Sequence, residues 1–267
     1  MPSAPELILD LLTVTQGDRL TAAEFVRAAE VFDIAGSTMR VGLTRLLALG
    51  KLARTTSNHY ALSPQTHGLS REVTGWFERE AQLVDWCGQW LACEDSSLAR
   101  TQRTAYAQHQ RALGLLGFAA LTPCLWVRPD NLIGGLAAAQ QHAQDLGVGK
   151  IALLFQVAQF GQGAPEVNKL WPVNELERRY GQLHLAVETG MRRMERQAAR
   201  TVARESMVLC RSVVRTLLRD PLLPSELASA DARKALTQVT RDYQLKARRL
   251  WLGLIAETET NSDVSIT

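Results

Sequence analysis

The chain has 267 residues, of which 46% are hydrophobic and 21% charged, and this ordinary globular composition excludes a wholly disordered protein. Its formal net charge of +3 is too small to predict nucleic-acid binding by itself. The four cysteines form no C-x-x-C pair, which excludes a zinc ribbon and a dithiol redox motif. Apolar runs fall short of the ~20 residues of a membrane helix, and the N-terminus is acidic, so we expect a soluble cytoplasmic protein.

The first 64 residues predict three helices followed by two short strands. The segment Thr21–Glu24 has the pattern of a capping box, in which a hydroxyl and a carboxylate each bind a free backbone N–H, and it opens the second helix. Ser37 is predicted to cap a third helix over residues 38–49, with Gly50 as its stop. Two strands then flank the polar residues 56–58. Three helices and a hairpin are the pattern of a winged helix-turn-helix domain.

The middle of the chain predicts alternating strands and helices. A leading linker helix over residues 72–84 is followed by strand, helix, strand, strand, helix and strand between Gln89 and Gln156, the order of the ferredoxin-like fold. A linker, Gly161–Pro165, precedes a region that is helical throughout, up to the polar tail Glu257–Thr267. The fold class is therefore α+β, with three expected domains: winged helix-turn-helix, residues 1–70; ferredoxin-like, residues 71–160; and C-terminal α-helical, residues 161–267.

The third predicted helix separates into two faces when its residues are placed ~100° apart. The apolar face closes a three-helix core and consists of Met39, Leu43, Leu46 and Leu47. The other face carries arginines, hydroxyl groups and small side chains, namely Ser37, Arg40, Val41, Thr44, Arg45 and Ala48. Arginine binds the O6 and N7 atoms of guanine, and small residues let a helix approach the bases of a major groove.

The charge distribution around this helix is one-sided. No acidic residue lies between Asp33 and Glu72, whereas five basic residues do: Arg40, Arg45, Lys51, Arg54 and Arg71. A one-sided positive charge favours phosphate binding. The alternative is an ordinary amphipathic helix with a solvated basic face. The position of the helix before a hairpin favours DNA binding. The predicted DNA-binding residues are Ser37, Thr38, Arg40, Val41, Thr44, Arg45, Lys51 and Arg54.

Four segments occur in an informative order along the chain. They are Arg40 through Arg45-Leu46 to Gly50-Lys51-Leu52, Trp86–Trp90, Gly117–Pro123 and Arg219–Leu227. In these segments the chain resembles the PaaX-like family, the repressors of phenylacetate catabolism. The resemblance implies a winged-helix domain, a ferredoxin-like domain similar to Cas2 and a helical C-terminal domain. It also implies a homodimeric repressor of an aromatic-acid operon that is released from double-stranded operator DNA by an aryl-CoA thioester.

The C-terminal helices carry arginines at i, i+4 spacing. One run comprises Arg192, Arg196, Arg200 and Arg204, and a second comprises Arg211, Arg215 and Arg219. A solvated or salt-bridged surface explains such a stripe, and a polyanionic partner is the alternative. For the effector, we predict phosphate contacts from Arg196, Arg200 and Arg204, with Trp171 beside them.

Enzymatic signals in the sequence are weak. The five histidines have no metal-binding spacing, and we expect no cofactor and no metal. Glu94-Asp95 follows the first strand of the middle domain, where nucleases similar to Cas2 place a metal-binding acid. Two subunits would then bring two acids around Mg²⁺, which activates water for phosphodiester cleavage. A polar turn is the simpler interpretation, so we expect a regulator that is not an enzyme, with a metal-dependent nuclease as the alternative.

Overall fold

The structure is a computed structural model. It describes residues 2–15, 19–55, 57–63, 75–161, 166 and 169–256. The chain has mixed α and β structure, with two small antiparallel sheets and a helical C-terminal region. Among the described residues, no helix combines the length and the apolar character needed to cross a lipid bilayer.

Two compact units make up the chain, and neither is continuous in sequence. The first unit comprises Met1–Thr66, Leu183–Val214 and Gln238–Thr267. The second unit comprises His67–Gln182 and Arg215–Thr237. The partition into three consecutive domains stays a prediction.

The N-terminal part of the first unit contains three helices and a three-stranded sheet. Its elements are α1 (Ala4–Val14), β1 (Leu20–Thr21), α2 (Ala22–Glu30), α3 (Gly36–Ala48), β2 (Leu52–Arg54) and β3 (His59–Leu62). The sheet order is β1-β3-β2, with Leu20 opposite Tyr60 and Ala53 opposite Ala61. The predicted hairpin is confirmed, whereas β1 was not predicted. Thr56, at the predicted tip of the hairpin, lies outside the described residues.

The first residues of α2 and α3 show where local sequence signals predict the start of a helix and where they do not. The capping box is confirmed, because Glu24 N–H donates to Thr21 Oγ1 at 3.3 Å and Thr21 N–H donates to the Glu24 carboxylate at 2.6 Å. The prediction that Ser37 caps α3 is wrong, since the helix begins at Gly36 with Ala35 as its N-cap. Glycine permits this earlier start, because a Cβ at position 36 would lie 2.9 Å from Val26 Cγ1.

Gly50 ends α3 as predicted. Its φ of 66° lies in the left-handed region that glycine adopts without steric cost. Gly50 N–H donates to the Leu47 carbonyl and Lys51 N–H to the Leu46 carbonyl, both at 2.9 Å. These two bonds form a Schellman motif, which satisfies carbonyls at the end of the helix and directs the chain into β2.

The core of the first unit combines both ends of the chain. Three long helices follow the second sheet: α6 (Val173–Met194), α7 (Ala199–Leu218) and α8 (Asp231–Ala256). The buried residues Ala203 and Met207 of α7, and Trp251 and Ile255 of α8, belong to the same apolar cluster as the cores of α1, α2 and α3. The ring of Trp251 stacks on Phe32 with a centroid separation of 6.1 Å. The N-terminal helices are therefore packed against C-terminal helices, which the sequence did not reveal.

The second unit contains a four-stranded antiparallel sheet and two helices. A 3₁₀ helix, Trp76–Gln82, occupies part of the predicted linker helix, of which residues 72–74 lie outside the described residues. It is followed by β4 (Trp90–Glu94), α4 (Arg103–Leu115), β5 (Ala119–Thr122), β6 (Leu125–Pro129), α5 (Gly135–Leu146) and β7 (Leu153–Val157). The predicted order of strands and helices is confirmed, and the sheet order is β5-β6-β4-β7. Residues 162–165 of the predicted linker and the polar tail are not among the described residues.

The sheet of the second unit is apolar on both faces, because alternate residues of a strand point to opposite sides. Leu91 and Cys93 belong to a buried cluster with residues of α4 and α5. Trp90 and Ala92 belong to a second cluster that includes Trp171 and Leu223. Burial raises the pKa of the Cys93 thiol to about 12, so this cysteine is a neutral core residue.

Two segments that were noted in the sequence meet in the second unit. Gly117 has a φ of 82°, and a Cβ built on it would lie 2.6 Å from the carbonyl oxygen of Pro221. Trp171 Nε1 donates to the Gly117 carbonyl at 3.3 Å. Position 117 therefore requires glycine for two independent reasons, the backbone conformation and the close approach of another backbone segment.

Replacing Gly117 by alanine is expected to lower the free energy of unfolding by about 2 to 3 kcal/mol, because the added methyl group strains the backbone and meets Pro221. Gly114→Ala is the matched control, since Gly114 lies in α4 and a Cβ there would meet no atom within 4 Å beyond the adjoining backbone of its own helix. Alanine in a helix is expected to be neutral or to stabilise by up to about 1 kcal/mol. Urea denaturation measures both, and equal effects would contradict the close contact.

Candidate nucleic-acid interface

Helix α3 divides into a buried and an exposed face, as predicted. Met39 is fully buried, Leu43 and Leu46 are each 2% exposed, and Leu47 is half-buried. This apolar face packs into the core of the first unit. The packing fixes the rotation of α3 about its axis and leaves the opposite face in solvent.

All predicted DNA-binding residues of α3 lie on its exposed face: Ser37, Thr38, Arg40, Val41, Thr44 and Arg45. Val41 is 68% exposed, so this valine contributes little to the packing of the first unit. Thr44 Oγ1 donates to the Arg40 carbonyl at 3.1 Å, so the threonine oxygen keeps acceptor capacity toward solvent. The exposed face of α3 thus presents two guanidinium groups, three hydroxyl groups and the aliphatic side chain of Val41.

The hairpin adds two further cations. Lys51 and Arg54 are both exposed, as the prediction requires. Arg54 Nε donates to Asn58 Oδ1 at 2.7 Å, which holds the guanidinium beside the hairpin turn. Asn58 has a φ of 61°, a conformation that asparagine tolerates better than most residues. Asn58 was not among the predicted DNA-binding residues, although the sequence places it in the polar tip of the hairpin, residues 56–58.

The acidic residue that precedes this basic surface forms an ion pair within the first unit. Asp33 Oδ2 lies 2.5 Å from Arg204 Nη2 of α7. From residue 34 to residue 71 the sequence has no acidic side chain. The stretch that forms α3 and the hairpin therefore carries basic but no acidic side chains, and such one-sided charge favours phosphate binding.

The predicted effector residues occupy separate parts of the structure. Arg196 is exposed, whereas Arg200 and Arg204 contact the C-terminal end of α2. Trp171 belongs to the second unit, where it is 8% exposed and stacks on Trp90 with a centroid separation of 6.3 Å. The structure brings Arg200 and Arg204 together, and it assigns Trp171 to a different unit from the arginines. The effector site stays a prediction.

The remaining arginines of the stripe are partly engaged in ion pairs. Arg211 of α7 pairs with Asp10 of α1. Burial raises the pKa of Asp10 even though the guanidinium opposes this shift. Arg193, which follows the first stripe residue Arg192 in sequence, pairs with Glu205 at 3.2 Å. Part of the stripe is therefore a salt-bridged surface within the first unit.

The acidic pair of the middle region splits between surface and interior. Asp95 is fully buried, and its Oδ2 accepts hydrogen bonds from Trp126 Nε1 at 3.0 Å and His109 Nε2 at 3.1 Å. His109 Nδ1 in turn accepts from Gly149 N–H at 3.1 Å, which assigns the proton to Nε2. Within the part of the chain that the structure describes, no three His, Cys, Asp or Glu residues form a group that would hold a metal ion. Asp95 joins β4, α4 and β6 in a buried polar network.

Glu94 has a different environment from its neighbour. Its carboxylate accepts the Ser96 N–H at 2.8 Å, and hydrogen bonding to Ser96 lowers the pKa of Glu94. This is the geometry of a polar turn at the end of a strand. The sequence could not reveal the Asp95 network, because its members lie 14 and 31 residues apart along the chain.

Comparisons with known proteins support the fold of the chain. A scan of protein-family models and a search of curated proteins found no match. Among solved structures, the chain is similar to an uncharacterized protein, Rv0674, from Mycobacterium tuberculosis, with 23% sequence identity and a TM-score of 0.61. The similarity covers 94% of this chain and 98% of that chain. At this identity it shows a shared fold along nearly the whole length.

Proposed function

We propose that the protein is a DNA-binding transcriptional regulator in which α1, α2, α3 and the following hairpin form a winged helix-turn-helix. The observation that carries the proposal is the exposed face of α3, which presents two arginines and hydroxyl groups within a stretch of sequence, residues 34–71, that has no acidic side chain. Helix α3 is the recognition helix, and β2 and β3 form the wing. Lys51 and Arg54 contact phosphates beside the major groove.

The arrangement of residues on α3 suits the reading of base edges. At ~100° per residue, the six predicted DNA-binding residues of α3 fall within an arc of about 160°. Ser37, Val41 and Thr44 occupy the middle of this arc, and Arg40 and Arg45 lie toward its edges, about 7.5 Å apart along the axis. Small side chains at the centre let the helix enter the groove, where Val41 contacts a thymine methyl group and the arginines bind guanines.

The remaining parts of the proposal concern the whole chain. The order of elements in the second unit and its sheet order favour a ferredoxin-like, Cas2-like fold. The resemblance to PaaX-like regulators favours a homodimeric repressor of an aromatic-acid operon, with an aryl-CoA thioester as the releasing effector. A ligand releases a repressor only if it binds the DNA-free conformation more tightly.

Selection of DNA from a random-sequence pool tests the proposal. The parent protein is expected to enrich a short motif, repeated with two-fold symmetry and with half-sites about 10 base pairs apart for a dimer. A gel shift on the enriched fragment, with and without phenylacetyl-CoA, then tests release. A pool that remains unenriched after repeated rounds at moderate salt would contradict the function as a sequence-specific regulator.

A further inference from the structure

The turn between α2 and α3 has an unusual residue at its critical position. Ile34 N–H donates to the Ala29 carbonyl at 3.0 Å and Asp33 N–H donates to the Glu30 carbonyl at 3.2 Å, which forms a Schellman motif. Asp33 occupies the left-handed position of this motif, with a φ of 56°. Glycine is the usual residue there, because it has no Cβ to clash with the backbone.

Two arginines of α7 bind this turn. Arg204 donates from Nε to the Val31 carbonyl, and its Nη2 lies 2.5 Å from Asp33 Oδ2. Arg200 Nη2 donates to the Glu30 carbonyl at 2.7 Å. The last carbonyls of a helix have no partners within it and carry partial negative charge, so guanidinium groups are suited to this position.

The side chain of Phe32 adds an apolar contact at the same place. The guanidinium carbon of Arg204 lies 5.9 Å from the centroid of the Phe32 ring, within range of a cation–π interaction. Phe32 is 3% exposed and also stacks on Trp251. Arg204 therefore contacts three successive residues of the turn, through a carbonyl, an aromatic ring and a carboxylate.

The identity of Asp33 supports a specific role for these contacts. Aspartate in the left-handed region is less favourable than glycine, but at this position it has a group that glycine lacks. What it supplies is the carboxylate that binds Arg204. Gly36, where α3 begins, follows three residues later, after an N-cap, Ala35, whose side chain makes no hydrogen bond. The direction of α3 is therefore set by the turn as well as by its packed face.

We propose that Arg200 and Arg204 are positioning residues for DNA recognition, which hold the α2–α3 turn and so fix the start of the recognition helix. The inference rests on the proposed function, because it concerns the same DNA-binding surface. Contacts to base edges require placement within about 0.5 Å. A turn that is free to move shifts Ser37 and Thr38 most, since they lie in the first turn of α3. The guanidinium groups act through the turn and do not touch DNA themselves.

The test compares Arg204→Gln with Arg196→Gln. Both changes remove one positive charge from the same region of the chain, but among the described residues Arg196 makes no side-chain hydrogen bond or ion pair. Without DNA, amide exchange over residues 32–36 is expected to become about tenfold faster in Arg204→Gln and to stay unchanged in Arg196→Gln. Arg204→Lys keeps the positive charge but lacks the planar guanidinium group. Its amide exchange rate is expected to lie between those of the parent and Arg204→Gln.

DNA binding supplies the second measurement. Affinity for a fragment selected by the parent is expected to fall about tenfold in Arg204→Gln. Affinity for a scrambled fragment is expected to fall by the same small factor in Arg204→Gln and in Arg196→Gln. Unchanged exchange in Arg204→Gln overturns the inference, whatever the DNA result. If exchange in Arg204→Gln is faster but the ratio of its affinities for the selected and the scrambled fragments equals that of the parent, the positioning role is overturned. The proposed function is then left intact.

Two further outcomes separate this inference from other interpretations. If Arg204→Gln binds the selected fragment like the parent but no longer responds to phenylacetyl-CoA, the arginine is an effector contact and the positioning role is overturned. If the parent selects no DNA at all, the proposed function fails, and the exchange experiment still reports whether the arginines hold the turn.

Discussion

Replacing Asp220 by alanine is expected to lower the free energy of unfolding by about 3 to 5 kcal/mol, because it removes one partner of a buried ion pair. Asp220 is 2% exposed and Arg233 is 5% exposed, and Arg233 Nη1 lies 3.3 Å from Asp220 Oδ1. A buried guanidinium that loses one of its two carboxylates keeps its desolvation penalty, and only Glu80, whose Oε1 lies 2.5 Å from Arg233 Nε, then compensates it. Urea denaturation at fixed protein concentration measures the loss.

The carboxylate of Asp220 also holds the backbone and a second helix. It accepts the Leu222 N–H at 2.6 Å, and Leu222 has a φ of 54°, which is strained for a residue with a branched side chain. It also accepts the Tyr180 hydroxyl, and burial together with the negative charge of Asp220 raises the pKa of Tyr180. For Arg233, burial opposes the charged form, but Glu80 and Asp220 together raise its pKa.

Two variants control this experiment. Glu226→Ala removes an exposed carboxylate from the same segment and is expected to change stability by less than about 0.5 kcal/mol. Asp220→Asn keeps an acceptor for the Leu222 N–H but removes the charge, and it is expected to lie between alanine and the parent. An Asp220→Ala variant as stable as Glu226→Ala would contradict the role of the carboxylate in the second unit.

The double substitution Arg40→Ala and Arg45→Ala is expected to abolish sequence-selective DNA binding. Each guanine contact contributes about 1 to 3 kcal/mol, so the pair contributes about 2 to 6 kcal/mol if the two act independently. Both side chains are exposed on α3, and neither contributes to the apolar core. Thermal unfolding is therefore expected to be unchanged. Titration of a fluorescent selected fragment measures the loss of affinity.

The matched control is the double substitution Arg196→Ala and Arg249→Ala. It removes the same charge from exposed positions of the same unit. Its affinity for the selected and the scrambled fragments is expected to fall by the same small factor, because only long-range attraction changes. A control that loses as much selectivity as the α3 variant would show that charge alone accounts for binding, and this would contradict base readout by α3.

Local signals predicted much of the fold. The capping box at Thr21, the left-handed stop at Gly50 and the alternation of the middle strands depend on residues that are neighbours in sequence. Strand β1 has only two residues, which is too short for a periodic pattern. The prediction misplaces the start of α3 because the helix begins at Gly36, before Ser37, where the absence of a Cβ leaves room for Val26.

Long-range contacts were beyond sequence reasoning. Nothing in the pattern of α7 or α8 indicates that Met207 and Trp251 share a core with the N-terminal helices. For the same reason the arginine stripe was interpreted as a single surface, whereas Arg204 binds residues 171 to 173 positions away in sequence. The exposed face of α3 was predictable, because the helical period alone separates its apolar and polar residues.

Protection of guanine N7 from methylation tests the role of α3 most directly. Dimethyl sulfate methylates this atom from the major groove, where a bound arginine shields it. On a fragment selected by the parent, the parent protein is expected to protect guanines in each half-site, and Arg40→Ala and Arg45→Ala are each expected to expose a different guanine while the others stay protected. Binding that leaves every guanine N7 as reactive as in free DNA, or a protection pattern identical in the parent and both variants, would contradict recognition of DNA by this helix.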